Sequence, residues 1–101
     1  MIKNKLNPVH PGEILQTEFI EPFGLNQNKL ALAIHVPARR INEIILKKRS
    51  ITADTALRLS RYFNNSPQFW LGLQMDYELD MAEDRMEEKI LNEIKPRMAI
   101  C

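Results

Sequence analysis

The sequence predicts an all-α fold of five or six short helices with a helix-turn-helix at its centre. Three observations predict it. Apolar residues recur at steps of three and four rather than in alternation, so no useful length reads as a strand. Proline, glycine and asparagine fall between those apolar stripes, where helices end. The stretch Asn26 to Leu46, NQNKLALAIHVPARRINEIIL, breaks once, at His35-Val36, into two helical pieces.

Met1 to Val9 has no clear periodicity and reads as a flexible N-terminal arm, residues 1–9. His10-Pro11-Gly12-Glu13 is a helix start, with proline in the first turn and an acid where the helix dipole favours it. Ile14, Leu15, Phe19 and Ile20 carry an apolar stripe to Glu21, and Pro22 and Gly24 stop that helix. Asn26 is an N-cap, and Leu30, Ala31 and Ile34 share one face behind it, Ala31 small enough for a second helix to cross closely. Pro37 suits the first turn of the next helix, in which Ile41, Ile44 and Ile45 recur inward. Lys47, Lys48, Arg49 and Ser50 make a basic loop. Thr52 is the next N-cap, and Ala56, Leu57, Leu59, Ser60 and Phe63 are expected to face inward as far as Asn64-Asn65, which favour a left-handed exit. Ser66-Pro67 caps a helix bearing Phe69, Trp70, Leu73 and Tyr77. A further, weaker amphipathic helix with Met81, Met86, Ile90 and Ile94 is expected from Asp80, ended by Pro96.

Length and composition bound the function. A chain of 101 residues, 45 % apolar, is one domain with a modest core and has no need of staples. The single cysteine, Cys101, excludes an internal disulfide frame and a cysteine zinc cluster, and fits a cytoplasmic protein. No apolar run approaches a membrane span, and the N-terminus lacks the apolar centre of a signal peptide. The net charge is only +1, but it is polarised. Residues 1–63 hold ten Lys/Arg against five acids, whereas residues 64–101 hold four against eight. A basic front can meet phosphate, and an acidic back can meet a basic partner.

In the second helix of the central stretch, Ala38, Arg39, Arg40, Asn42 and Glu43 are left facing out or partly out. A short helix with small and basic residues at its exposed end is what the major groove accepts. Arg39 and Arg40 are candidates for base edges or phosphates, Ala38 for a thymine methyl, and Asn42 and Glu43 for a base or a phosphate-bound water. Lys47, Lys48 and Arg49 suit phosphates. His10 and His35 have no partner at metal-ligand spacing and read as capping and turn residues. The acids Asp76, Glu78, Asp80, Glu83 and Asp84 lack the calcium-loop spacing and read as a solvated helix face. With neither a phosphate loop nor a nucleophile–base set, the chain is not expected to be an enzyme, or to use a cofactor, a metal or a small-molecule substrate.

Four motifs in order then match a known family. His10-Pro11-Gly12-Glu13-Ile14-Leu15, Arg40-Ile41-Asn42-Glu43-Ile44, Ile51 to Leu59 (ITADTALRL) and Ser66-Pro67-Gln68-Phe69-Trp70-Leu71 with Leu73-Gln74 resemble the HigA antitoxins, also labelled virulence-associated protein I, among the lambda-repressor-like (XRE/Cro) helix-turn-helix proteins. The resemblance covers about His10 to Leu79. It implies a cytoplasmic homodimer that binds the palindromic operator of its own promoter and neutralises a HigB-type toxin, a small basic endoribonuclease. It also implies that Gln27, with Asn28 beside it, holds a phosphate at the start of the motif's first helix. The family usually has glycine where His35 and Lys47 stand; a left-handed backbone costs a non-glycine residue about 1 kcal/mol, so these two departures bear on the turn geometry and not on the fold. The chain then divides into the arm, a DNA-binding domain with a helical dimerisation segment over 10–79, and a charged helical tail over 80–101. Because a domain this small cannot bury every apolar residue of its last helices, Phe69, Trp70, Leu73 and Tyr77 are expected at the dimer interface. The alternatives are a stand-alone regulator without a toxin, and a toxin-binding module that has lost DNA binding.

Overall fold

The structure is a computed structural model describing residues 8–98. The expected arm therefore falls outside the described residues except for Pro8 and Val9, as does Cys101. Among the described residues there are five helices and no strand. The first, α1, opens as an α-helix over Pro11–Ile14 and continues as a π-helix over Leu15–Ile20. It is followed by α2 (Gln27–Ile34), α3 (Ala38–Ile45), α4 (Ala53–Phe63) and α5 (Pro67–Glu93).

Three of the five helices, α1, α2 and α5, begin where a side chain accepts from a free backbone donor. Gly12 donates to Nδ1 of His10 at 2.9 Å, Lys29 to the Asn26 side chain at 2.8 Å, and Phe69 to the Ser66 hydroxyl at 3.1 Å. Burial, with Lys47 nearby, pushes the His10 pKa below its ordinary value of 6.5. The ring is therefore held neutral, the form in which Nδ1 can accept. Thr52 occupies the N-cap position of α4 without a side-chain cap bond.

Each turn is closed by a left-handed residue. The backbone φ is +60° at His35, +65° at Lys47 and +58° at Asn64, with Gly24 at +68° after α1. At His35 and Lys47 the bonds are those of the Schellman motif. Val36 donates to Ala31 at 3.0 Å and His35 to Leu32 at 3.3 Å; Lys48 donates to Glu43 at 2.8 Å and Lys47 to Ile44 at 3.0 Å. His35 and Lys47, which stand where the family usually has glycine, thus both keep the left-handed turn.

The core gathers one stripe from every helix: Leu15 and Ile20, then Leu30, Ala31 and Ile34, then Ile41 and Ile44, then Ile51, Ala56 and Leu59, and finally Trp70. Leu15 and Ile20 lie five apart, a spacing that a π-register brings to one face and an α-register does not. Leu57 does not join them; it is 59 % exposed, because one step beyond Ala56 turns it about 100° round the helix. Thr55 is buried instead.

The last two expected helices are one. α5 runs 27 residues without a break at Asp80, since Met75 to Met86 holds neither proline nor glycine and is rich in helix formers. Among the described residues no helix is long and apolar enough to cross a membrane.

Candidate nucleic-acid interface

The outward face of α3 is built from both sides. Inward, Ile41 and Ile44 are fully buried and Ile45 packs against the core, which fixes the rotation of the helix. Ala38, Arg39 and Asn42 are left exposed, with Arg40 and Glu43 half-buried at the edges. The Pro37 cap places no side chain over the first-turn N–H groups. At one flank Asn42 donates to the Gln27 side chain at 3.1 Å, tying the start of α2 to the reading face of α3. Asn28 is exposed one residue further along. At the other flank the chain leaves α3 through left-handed Lys47 into exposed Lys48 and Arg49.

Ion pairs organise the cations of this face. Glu43 accepts from Nε of Arg39 at 2.8 Å and from Arg49 at 2.8 Å, so one carboxylate links the helix to the basic loop. Arg39, then Arg49, hold that carboxyl below the usual carboxylate range. Glu43 pairs with these two and not with Lys47, because the left-handed turn carries Lys47 off the helical i, i+4 position. The Arg39 side chain remains 83 % exposed in spite of its pair. Arg40 is different. Its guanidinium reaches back to Asp54 on α4, and its side chain is only 27 % exposed. Asp54 also accepts from Arg58 at 3.0 Å, and Arg58 in turn donates to the carbonyls of Ile34 at 2.9 Å and His35 at 3.2 Å. The carbonyl end of α2, the turn and the start of α4 are thereby clamped together.

A helix-turn-helix family model (HTH_3) matches residues 18–70. The chain is 50 % identical to virulence-associated protein I of Dichelobacter nodosus over 93 % of this chain and 85 % of that protein. It is 35 % identical to antitoxin HigA-1 of Vibrio cholerae over 88 % of this chain and 84 % of that one. The chain belongs to the HigA family of helix-turn-helix proteins. The fold agrees: the solved antitoxin HigA of Pseudomonas aeruginosa with the higBA promoter superposes with a TM-score of 0.86 at 44 % identity, over 90 % of this chain and 99 % of that one. In this HigA-family chain the matched segment runs from the π-turn of α1 to Trp70 and so takes in the whole α2–α3 face.

The expected dimer residues need one correction. Trp70 is 0 % exposed within a single chain. Its ring lies 4.8 Å from Phe19 and 5.0 Å from Phe69, and its Nε1 donates to Asn65 at 2.9 Å, so it has nothing left to offer a second copy. Leu73 is half-buried against the core, and half-buried Tyr77 stacks edge-on against His10 at 4.7 Å. Phe69 is exposed. Besides Phe69 and Leu91, the exposed apolar residues of α5 are Leu71, Met75, Leu79, Met86 and Ile90. Their steps of four, four, seven and four line one side of a helix.

Gln74 went unassigned in the sequence. It is buried, accepts from the Ile51 backbone N–H at 2.8 Å and donates to Glu78 at 2.9 Å. It therefore moors the end of the basic loop to α5. A buried glutamine among the apolar residues of a helix was the available signal, since such a side chain needs a partner.

Proposed function

We propose that this chain is a HigA-type antitoxin: a cytoplasmic homodimer that binds the operator of its own promoter and neutralises a small basic ribonuclease toxin. The observation that carries the DNA half is the α3 face, with Ala38, Arg39 and Asn42 exposed between the Gln27 contact and the Lys47–Arg49 loop. Support comes from the antitoxin HigA solved with its promoter. Each subunit sets α3 in a major groove. Arg39 reads a base edge, Ala38 and Asn42 lie against neighbouring bases, and Gln27, Asn28, Lys47, Lys48 and Arg49 hold phosphates. Glu43 keeps Arg39 and Arg49 in place. Two copies joined through the exposed stripe of α5 would set two such helices about 34 Å apart, one turn of a palindrome.

The test is fluorescence anisotropy on the DNA just upstream of the reading frame, beside a scrambled duplex, at two salt concentrations. Arg39→Ala should cost about 1–3 kcal/mol on the upstream duplex and little on the scrambled one. Lys48→Ala should weaken both alike and lower the salt slope by about one. If Arg39→Ala acts equally on both duplexes, base reading by Arg39 is wrong.

For the toxin half, the support is family membership and the acidic surplus of residues 64–101, which is complementary to a basic ribonuclease. Expression of a short basic reading frame adjacent to this one should arrest growth, and co-expression of this chain should restore it. Arrest that persists despite co-expression would leave a regulator without an antitoxin role. A module that had lost DNA binding would fit turns spoiled at His35 and Lys47, whereas the left-handed turns at both carry their full bonding.

A further inference from the structure

Arg40 and Asp54 are fourteen residues apart, on different helices, yet paired. The pair sits beside the proposed reading face and differs from the others there. Arg58, the second cation on Asp54, is tied at three points: the carboxylate and the carbonyls of Ile34 and His35. It cannot leave without uncapping α2. The Arg40 guanidinium has Asp54 as its one hydrogen-bonding partner among the described residues, with 27 % of the side chain open to solvent. It is the cation of the pair that can be exchanged.

We infer that Asp54 is a specificity-determining positioning residue, which withholds Arg40 from phosphates and releases it only to a base edge. The inference rests on the DNA-binding reading above. Magnitudes decide which contact wins. An ion pair half open to solvent is worth a factor of up to about five. A single phosphate on random DNA offers Arg40 a contact of the same kind, so little is gained by leaving Asp54. A guanine offers two parallel hydrogen bonds, which discriminate by roughly five- to a hundredfold. Arg40 therefore moves at the cognate site and stays back elsewhere.

The experiment is a double-mutant cycle on full-length protein, read by anisotropy on the upstream and scrambled duplexes across salt. Asp54→Asn should tighten binding to the scrambled duplex by up to about fivefold and steepen its salt slope by about one. The ratio of upstream to scrambled affinity should fall. Arg40→Ala should weaken the upstream duplex and leave the scrambled one nearly unchanged. In the Arg40→Ala background, Asp54→Asn should no longer steepen the slope. The same gain in both backgrounds would assign the effect to the charge of Asp54 alone and overturn the inference. So would an equal loss on both duplexes with an unchanged circular dichroism spectrum, which would leave Asp54 purely structural. Wild-type protein that does not distinguish the duplexes overturns the parent reading; wild-type preference with an unaltered ratio in Asp54→Asn overturns this one alone.

Discussion

Gly12→Ala is expected to destabilise the fold by about 3 kcal/mol and lower Tm by roughly 10–20 °C. A Cβ built on Gly12 falls 2.0 Å from the Ile44 carbonyl oxygen and 2.8 Å from its carbon, both backbone atoms of α3. No rotamer change relieves a clash with backbone, so α1 and α3 must separate. That carbonyl also accepts from Lys47 at 3.0 Å, the bond that closes the left-handed turn at the end of α3. Separation therefore disturbs the reading helix and its basic loop together, and DNA affinity should fall even at a temperature where the variant is folded. Gly72→Ala is the control. Nothing lies within 4 Å of its Cβ site, and it sits inside α5, so alanine should raise stability by up to about 1 kcal/mol. Thermal denaturation followed by circular dichroism measures both. Equal, small changes in the two variants would mean that α1 does not touch α3 through its backbone.

How much of this was legible in the sequence depends on whether the deciding interaction is local. Caps are local: His10, Asn26 and Ser66 each bond a backbone N–H two or three residues on, and each was readable from residue type and spacing. The inward faces of α2 and α3 were readable for the same reason, since periodicity alone sets them. The π-register of α1 was not, because Leu15 and Ile20 at a step of five also fit a frayed α-helix. The joint at Asp80 was misplaced because the charges from Asp76 onward interrupt the apolar stripe without interrupting the backbone. Least legible were bonds across many residues. Arg40 with Asp54, and Ile51 with Gln74, depend on how helices pack, and no spacing rule anticipates them. Hence the exposed cation of the reading face could be placed only as one of two arginines; the packing separates outward Arg39 from inward-tied Arg40.

Trp70→Ala and Met75→Asp are expected to part company, the first strongly destabilising the fold and the second disrupting only the assembly. Trp70 is the largest fully buried side chain, and its ring joins Phe19, Phe63 and Phe69 between α1, α4 and α5. Truncation should cost about 3–5 kcal/mol, the range for a buried aromatic. The total stability of a small domain is about 5–15 kcal/mol, so the loss is a large part of it. The Asn65 oxygen also loses its donor, which loosens the left-handed exit of α4. Met75 is 57 % exposed, second in the α5 stripe, and lies outside the core cluster. A charge there should leave Tm of the monomer nearly unchanged and shift the sedimentation coefficient from dimer to monomer. Trp70 is the only tryptophan, so its emission reports the same distinction directly. Diluting the wild-type protein through its dimer–monomer transition should leave the emission maximum in place, because the ring is enclosed within one chain. A red shift on dilution, or a folded but monomeric Trp70→Ala variant, would put Trp70 back in the interface between copies and remove the α5 stripe from it.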